Sequence, residues 1–300
     1  MSSSPLKAVS TRLLEVAYEV SGPEGGRPAI LLHGWPDDIR TWDRSLPALH
    51  AQGWKTIVPY LRGFGATRFL SASTQRSGQL AALGQDVVDL ADALGLDRFA
   101  VAGHDWGARA AYIAASLAPH RISHCVALSV GYATNDPRQP LSLRQARNYW
   151  YHWYMAVDRG EAALRTERRA FTRFLWQTWS PNWSFSQADF ERTAASFENP
   201  DWADVVLHSY RHRWGFVAGD PMYDALEKKL TPAPPITVDT LVIHGAADSC
   251  NDPATSEGRE PFFQGRYQRV VLPGLGHFPQ RESSEVGPII AEFLATGQSV

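Results

Sequence analysis

Two cysteines in 300 residues, Cys125 and Cys250, are too few for a disulfide framework. They read as buried small residues in a reducing compartment, and their thiols are expected to be inert in the core. An excess of one charge is also missing. Twenty-nine Lys and Arg against 31 Asp and Glu leave a formal net charge of −2, which gives no electrostatic reason for nucleic acid or an anionic membrane as partner. No stretch approaches the roughly 18 to 20 apolar residues that span a bilayer. The N-terminal MSSSPLKAVSTRLLEV has no basic segment followed by an apolar one, so it does not read as a signal peptide. A soluble, cytoplasmic protein is expected, as a monomer or a homodimer. Internal repeats and low-complexity tracts are absent as well.

Tryptophan is abundant instead. Seven of the eleven (Trp150, Trp153, Trp176, Trp179, Trp183, Trp202 and Trp214) fall between residues 137 and 235. An aromatic helical core and an aromatic-walled pocket both account for this, and the two are compatible.

Along the first 136 residues strand and helix signals alternate. Arg12 to Val20 reads as a bent strand or strand pair, and Pro28 to His33 and Lys55 to Val58 as short buried strands. Leu80 to Leu94 has helical spacing with Gly95 behind it as a C-terminal stop. Phe99 to Gly103 and Cys125 to Val130 are further strands, with a helix over Ala108 to Leu117 between them. This rhythm implies parallel strands with right-handed crossovers. It breaks over residues 137–235, where helices are expected at Ser142 to Val157, Gly160 to Trp179, Ser186 to Phe197 and Asp201 to Arg213. It resumes with strands at Leu241 to His244 and Arg269 to Leu272, and a helix over Ser283 to Leu294. The fold class is therefore α/β: a mostly parallel sheet with helices on both faces, formed by residues 1–136 and 236–300, with residues 137–235 as a helical insertion. The basic runs Arg165 to Arg173 and Arg211 to Arg213 read as solvated helix faces.

The segment FAVAGHDWGARAAY, Phe99 to Tyr112, carries the chemistry. A buried strand enters a G-x-x-x-G turn and leaves as an alanine-rich helix, which is the context of a nucleophile elbow. The exposed position of that elbow holds Asp105. A carboxylate there can attack carbon and form an ester; alternatively, Asp105 is an ordinary helix N-cap. Three features favour the nucleophile. The strand PAILLH runs into His33-Gly34-Trp35-Pro36, a loop placed to supply one oxyanion N–H from Trp35, with Trp106 supplying the other. His33 is read as shaping this loop. His277 follows the last strand as a candidate base, and His104 should point away from the site. Asp248 follows the strand before that as its orienting acid, with Asp252 as rival. The order Asp105, Asp248, His277 is the nucleophile, acid, base order of this strand pattern.

HGWPD, LRGFGAT, GHDWGARAAY, IHGAADS and GLGHFPQ together resemble the epoxide hydrolase and haloalkane/haloacid dehalogenase branch of the α/β-hydrolase superfamily, over nearly the whole chain. The resemblance implies an aspartate that displaces oxygen or halide from an sp³ carbon, and a histidine-activated water that hydrolyses the ester. It makes residues 137–235 a helical cap. It further implies two cap tyrosines that hold an epoxide oxygen. Tyr210, in His208-Ser209-Tyr210-Arg211, matches the second. Tyr151 is chosen for the first from a string in which Tyr149 and Tyr154 remain open. Dehalogenases instead hold a halide, here through Trp106, Trp153 and His152, and Arg109 matches one of the two arginines by which haloacid enzymes clamp a carboxylate. Trp106 stands where the other arginine would be. The leading expectation is an epoxide hydrolase acting on a hydrophobic small molecule and water, with no metal or organic cofactor. A dehalogenase is the runner-up. An esterase lacks its serine, and a ligand receptor would have no need of the complete catalytic set.

Overall fold

Residues 5–134, 136 and 139–296 are described by a computed structural model. Pro137, where the insertion is expected to begin, lies outside these residues, as do the extreme ends of the chain. The apolar runs become strands β1 (Lys7–Ser10), β2 (Leu14–Ser21), β3 (Arg27–Leu32), β4 (Trp54–Pro59), β5 (Arg68–Phe69), β6 (Phe99–His104), β7 (Ile122–Leu128), β8 (Thr240–Gly245) and β9 (Tyr267–Leu272). Among the described residues they form one sheet in the order β1-β2-β4-β3-β6-β7-β8-β9, with β5 pairing on β2. Every pairing from β4 to β9 is parallel, and the β2 pairings are antiparallel. β1 and β5 were not expected. They are too short, and β1 too exposed, to leave an apolar pattern.

Period-two alternation sorts the strand side chains onto two faces. Ala29 and Leu31 of β3 join one core, closed by α1 (Leu46–Ala51) and α12 (Val286–Ala295). Ile30 and Leu32 join the other, closed by α2 (Leu80–Ala93) and α3 (Trp106–Leu117). That second core runs without a break into the insertion, through Tyr151, Leu175, Trp176, Trp179, Trp202 and Tyr210.

The insertion is helical: α4 (Leu143–Asn148), α5 (Trp150–Ala156), α6 (Asp158–Thr166), α7 (Arg168–Trp179), α8 (Gln187–Ala194), α9 (Trp202–Arg213) and α10 (Asp224–Leu230). Ser142 and Ser186, expected at helix starts, cap α4 and α8 by accepting from the amides of Gln145 and Asp189. Two helices expected as continuous are each divided. One breaks at Tyr149, whose hydroxyl reaches Asn251 Oδ1 on the core at 2.8 Å. The other breaks at Glu167. Helix α10 buries no residue, so no apolar stripe marks it in the sequence. The short α11 (Pro279–Glu282) precedes α12.

The basic runs divide as well. Arg165 and Arg169 make exposed ion pairs with Glu161, Asp204, Glu191 and Glu198. Arg213, expected on a solvated face, instead turns inward, with Nε and Nη2 both buried.

Candidate active site

The carboxyl ends of β3, β6, β8 and β9 deliver the four expected core positions to one place. Strand order reverses between β3 and β6, and the resulting crevice is where open α/β sheets bind ligands.

Asp105 joins β6 to α3 with φ 50° and ψ −111°. A non-glycine residue held there stores about 1–3 kcal/mol of strain, and the surroundings fix it. A Cβ on Gly103 would lie 2.0 Å from the Gly107 carbonyl oxygen, and one on Gly34 would lie 2.5 Å from Asp105 Cβ. Only glycine lets strand, helix and loop approach this closely. The Asp105 side chain does not cap α3. Its Oδ1 accepts from the Trp35 amide at 3.0 Å, which removes the N-cap alternative. The Trp106 amide opens α3 and has no intrahelical acceptor.

His277 donates from Nδ1 to Asp248 Oδ2 at 2.9 Å, and its Nε2 faces Asp105 Oδ2 at 3.7 Å. Burial alone would lower the imidazole; the Asp248 carboxylate overrides it and holds His277 well above the ordinary histidine value. Burial would likewise raise Asp248, but His277 and His244 hold it down to about 2. The other oxygen, Asp248 Oδ1, accepts from the amides of Cys250 (2.7 Å) and Asn251 (2.9 Å). The rival Asp252 pairs with Arg144 and caps a 3₁₀ turn, away from His277. His104 donates to the His277 carbonyl oxygen at 2.7 Å, beneath the site, and burial lowers its pKa to about 4. His33 accepts from the Leu61 amide at 3.0 Å and shapes the loop.

The insertion lays aromatic rings over this crevice. Tyr151 stacks on Trp35 at 5.6 Å between centroids and meets Tyr210 edge-on at 5.4 Å. The Tyr210 hydroxyl accepts from Trp106 Nε1 at 3.1 Å, so its own proton points elsewhere. The Tyr151 hydroxyl lies 3.5 Å from Cys250 Sγ. Burial, first of all, pushes both phenols well above their ordinary pKa, so both stay protonated. Tyr149 is committed to Asn251, and Tyr154 packs outward on Trp150 and Phe171. Of the tyrosines left open by the sequence, Tyr151 is the one beside Tyr210.

His152 is buried and accepts at Nδ1 from Trp214 Nε1 at 3.0 Å, so its neutral ring carries the proton on Nε2. That Nε2 is buried without a partner among the described residues. Trp153 is not brought to the site: it is 37% exposed, and its indole N–H donates to the Ala146 carbonyl oxygen. The helical register that turns His152 inward turns its neighbour outward. Arg109 is buried on the first turns of α3 and donates to Thr134 Oγ1 at 3.1 Å.

Several contributors left no readable signal. Trp179 packs edge-on against His277 at 5.0 Å, and its carbonyl oxygen accepts from the His277 amide. Arg281 grips Asp37 with Nε and Nη2 under the oxyanion loop, and Trp176 Nε1 donates to the Pro36 carbonyl oxygen at 2.7 Å. Cys250, expected to be inert filling, lies against Tyr151 and His277.

The alpha/beta hydrolase fold family model matches residues 28–283. Among curated proteins, epoxide hydrolase 1 of Siraitia grosvenorii is 37% identical over 90% of this chain and 92% of its own length. An epoxide hydrolase of Caballeronia sordidicola is 29% identical over 92% and 90%. Among solved structures, a crystal structure from Klebsiella pneumoniae, provisionally assigned there as an epoxide hydrolase, superposes with a TM-score of 0.92 at 39% identity, covering 97% of each chain.

Proposed function

The chain belongs to the α/β-hydrolase-fold family, and we propose that it is an epoxide hydrolase working through an ester on Asp105. The carrying observation is the pair of buried, protonated phenols, Tyr151 and Tyr210, beside the Asp105 elbow. An epoxide oxygen becomes an alkoxide as its ring opens, and two phenolic donors meet that charge where it develops.

Asp105 Oδ1 rests on the Trp35 amide, which leaves Oδ2 as the attacking atom. Oδ2 displaces the ring oxygen from the back of a ring carbon; the C–O bond breaks and a tyrosine proton neutralises the alkoxide. Conversion of Asp105 to an ester removes a negative charge facing His277 Nε2, so the imidazolium gives up its proton, which returns the tyrosinate to the phenol. His277, oriented by Asp248, then takes a proton from water as the water attacks the ester carbonyl. The Trp35 and Trp106 amides hold the tetrahedral oxyanion; on its collapse the departing diol oxygen takes the proton from His277, and the proton left on the Asp105 carboxyl passes back to His277, which releases a vicinal diol and restores the carboxylate. Residues 137–235 act in this scheme as a cap that excludes bulk water and presents the tyrosines. The aromatic lining suits a hydrophobic substrate.

A dehalogenase using the same aspartate is favoured by one observation, the unpartnered buried N–H of His152. Trp106 Nε1 is already engaged and Trp153 is at the surface, so the halide cradle would be reduced. Diol formation from styrene oxide supports the epoxide reading; halide release from a haloalkane or fluoroacetate with no epoxide turnover would overturn it. In His277→Gln, the alkyl-enzyme should accumulate as a mass increase equal to the substrate. No helix among the described residues is long and apolar enough to cross a membrane. A cytoplasmic setting agrees with two buried free cysteines, and we take the working state to be a monomer or homodimer.

A further inference from the structure

Gln145 lies on α4 of the cap and is 3% exposed. It is polar, neutral and nearly sealed from solvent, and none of the steps at Asp105 uses it. Both ends of its amide are engaged on the loop that follows the catalytic acid. Nε2 donates to the Cys250 carbonyl oxygen at 2.9 Å, and Oε1 accepts from the Asp252 amide at 2.8 Å. The loop thus asks for one donor and one acceptor at the end of a side chain of this length. A carboxylate could serve only the second contact.

The loop held in this way is the one that holds Asp248. The amides of Cys250 and Asn251 donate to Asp248 Oδ1 at 2.7 and 2.9 Å, and Asp248 Oδ2 accepts from His277 Nδ1. Hydrogen bonds therefore run without a gap from Gln145 through residues 250–252 and Asp248 to His277. Neighbours on the cap reach the same loop. Tyr149 donates to Asn251 Oδ1, the Tyr151 hydroxyl lies 3.5 Å from Cys250 Sγ, and Arg144 pairs with Asp252. These three contact loop side chains; of the four cap residues, only Gln145 grips the loop's main chain. The Arg144 side chain is exposed, so its ion pair is screened by water. Without the Gln145 amide, the carbonyl of the fully buried Cys250 would lose its donor, and the loop would have to shift to satisfy it.

We propose that Gln145 is a positioning residue for the hydrolytic step. It holds residues 250–252 in the register that aims the Asp248 carboxylate, and through it the His277 imidazole, at the ester on Asp105. The step it serves rests on the epoxide hydrolase reading; the alignment of His277 by Gln145 does not. The two half-reactions should feel its loss unequally. Attack by Asp105 is set by the elbow and the Trp35 amide, neither of which touches Gln145. The Tyr151 ring is held by packing on Trp35 and Trp179. Hydrolysis depends on His277 lying within hydrogen-bond reach of the attacking water.

Single turnovers of styrene oxide by the full chain, quenched and followed by mass spectrometry, separate formation of the Asp105 ester from its hydrolysis. Gln145→Met keeps the volume and removes both contacts. In this variant hydrolysis should slow by at least about tenfold, the scale of a small misplacement of a reacting group, while ester formation stays within about threefold of wild type. The ester should therefore accumulate. Gln145→Glu keeps the Asp252 contact but sets an oxygen against the Cys250 carbonyl, and it should also slow hydrolysis selectively; it carries the comparison should Gln145→Met not fold. Hydrolysis at the wild-type rate, or both steps slowed alike as a general loosening of the fold would give, overturns the proposal. The His277 Nδ1 proton gives a second reading without substrate. Held against Asp248, it should resonate far downfield in the proton NMR spectrum, assigned by its loss in His277→Gln. In Gln145→Met the resonance should move upfield or broaden; one unchanged from wild type overturns the proposal. Absence of styrene oxide turnover by the wild type, with the resonance still dependent on Gln145, would remove the epoxide and leave the alignment of His277 standing.

Discussion

The core and the cap build their halves of the site by different means. In the core, backbone does the positioning. Asp105, Asp248, His277 and the Trp35 amide each sit just past the end of a strand, and close backbone contacts leave the elbow one conformation. In the cap, side chains do it. Tyr151, His152 and Tyr210 are held by rings packed on rings and by single hydrogen bonds from Trp106 and Trp214. A site fixed by backbone should fail outright when one group is removed, whereas one fixed by packing should fail by degrees.

The largest expected effect is therefore in the core. Asp105→Ala should lower kcat/KM for any true substrate by at least about 10⁴-fold, since no second group can form the ester. Steady-state diol formation checks it; activity within tenfold of wild type would place the nucleophile elsewhere. The cap follows. Tyr210→Phe should cost about 10²–10³-fold, the scale of losing one donor to a developing oxyanion. Tyr151→Phe should cost less, because the Tyr151 hydroxyl already has Cys250 Sγ at 3.5 Å whereas Trp106 leaves the Tyr210 proton free. If Tyr151→Phe proved the more damaging, the division of labour between the two would be reversed.

An intermediate effect lies in stability. The Asp248 pKa is depressed from its unfolded value near 4 to about 2 in the fold. The folded state therefore gains stability that is complete above pH 4 and is lost as pH falls through 2. A shift of this size corresponds to about 2–3 kcal/mol. Denaturant unfolding between pH 6 and 2 should show this loss, and Asp248→Asn should remove its share of the slope.

The contrast between the regions also explains what could be read from the sequence. Strand, tight turn and helix leave local marks: glycines at fixed spacing, apolar runs of six, and polar residues directly after them. Those marks located the elbow, the oxyanion loop, and the loops of Asp248 and His277. The cap leaves only a period of 3.6 and many aromatics, and which ring faces inward depends on packing between helices distant in sequence. Hence Trp153 was expected in the pocket and Arg213 on a solvated face, whereas the structure turns Trp153 outward and lays the Arg213 guanidinium over the Tyr210 ring. Trp179 and Arg281 were invisible for the same reason: their partners His277 and Asp37 lie roughly one hundred and two hundred and forty residues away, and no local pattern records such a pairing.

The smallest expected effect tests the cap's geometry most directly. Trp153→Ala removes a large side chain adjacent in sequence to His152, within the motif by which the dehalogenase reading would hold a halide. Its indole is 37% exposed, donates to the Ala146 carbonyl oxygen at 3.3 Å and packs on Trp214 at 4.6 Å. Losing a surface contact of this kind should change stability by less than about 1 kcal/mol. Because Trp153 is held at the surface by Ala146 and Trp214, kcat/KM should change by less than about fivefold, the rate equivalent of a perturbation that small. His152→Ala in parallel removes a buried ring 4.5 Å from Tyr210 and should lower turnover visibly more. A Trp153→Ala enzyme as impaired as Tyr210→Phe would mean that α5 is rotated in the working state. The cap would then select its substrate by moving its helices, in addition to the packing of its rings.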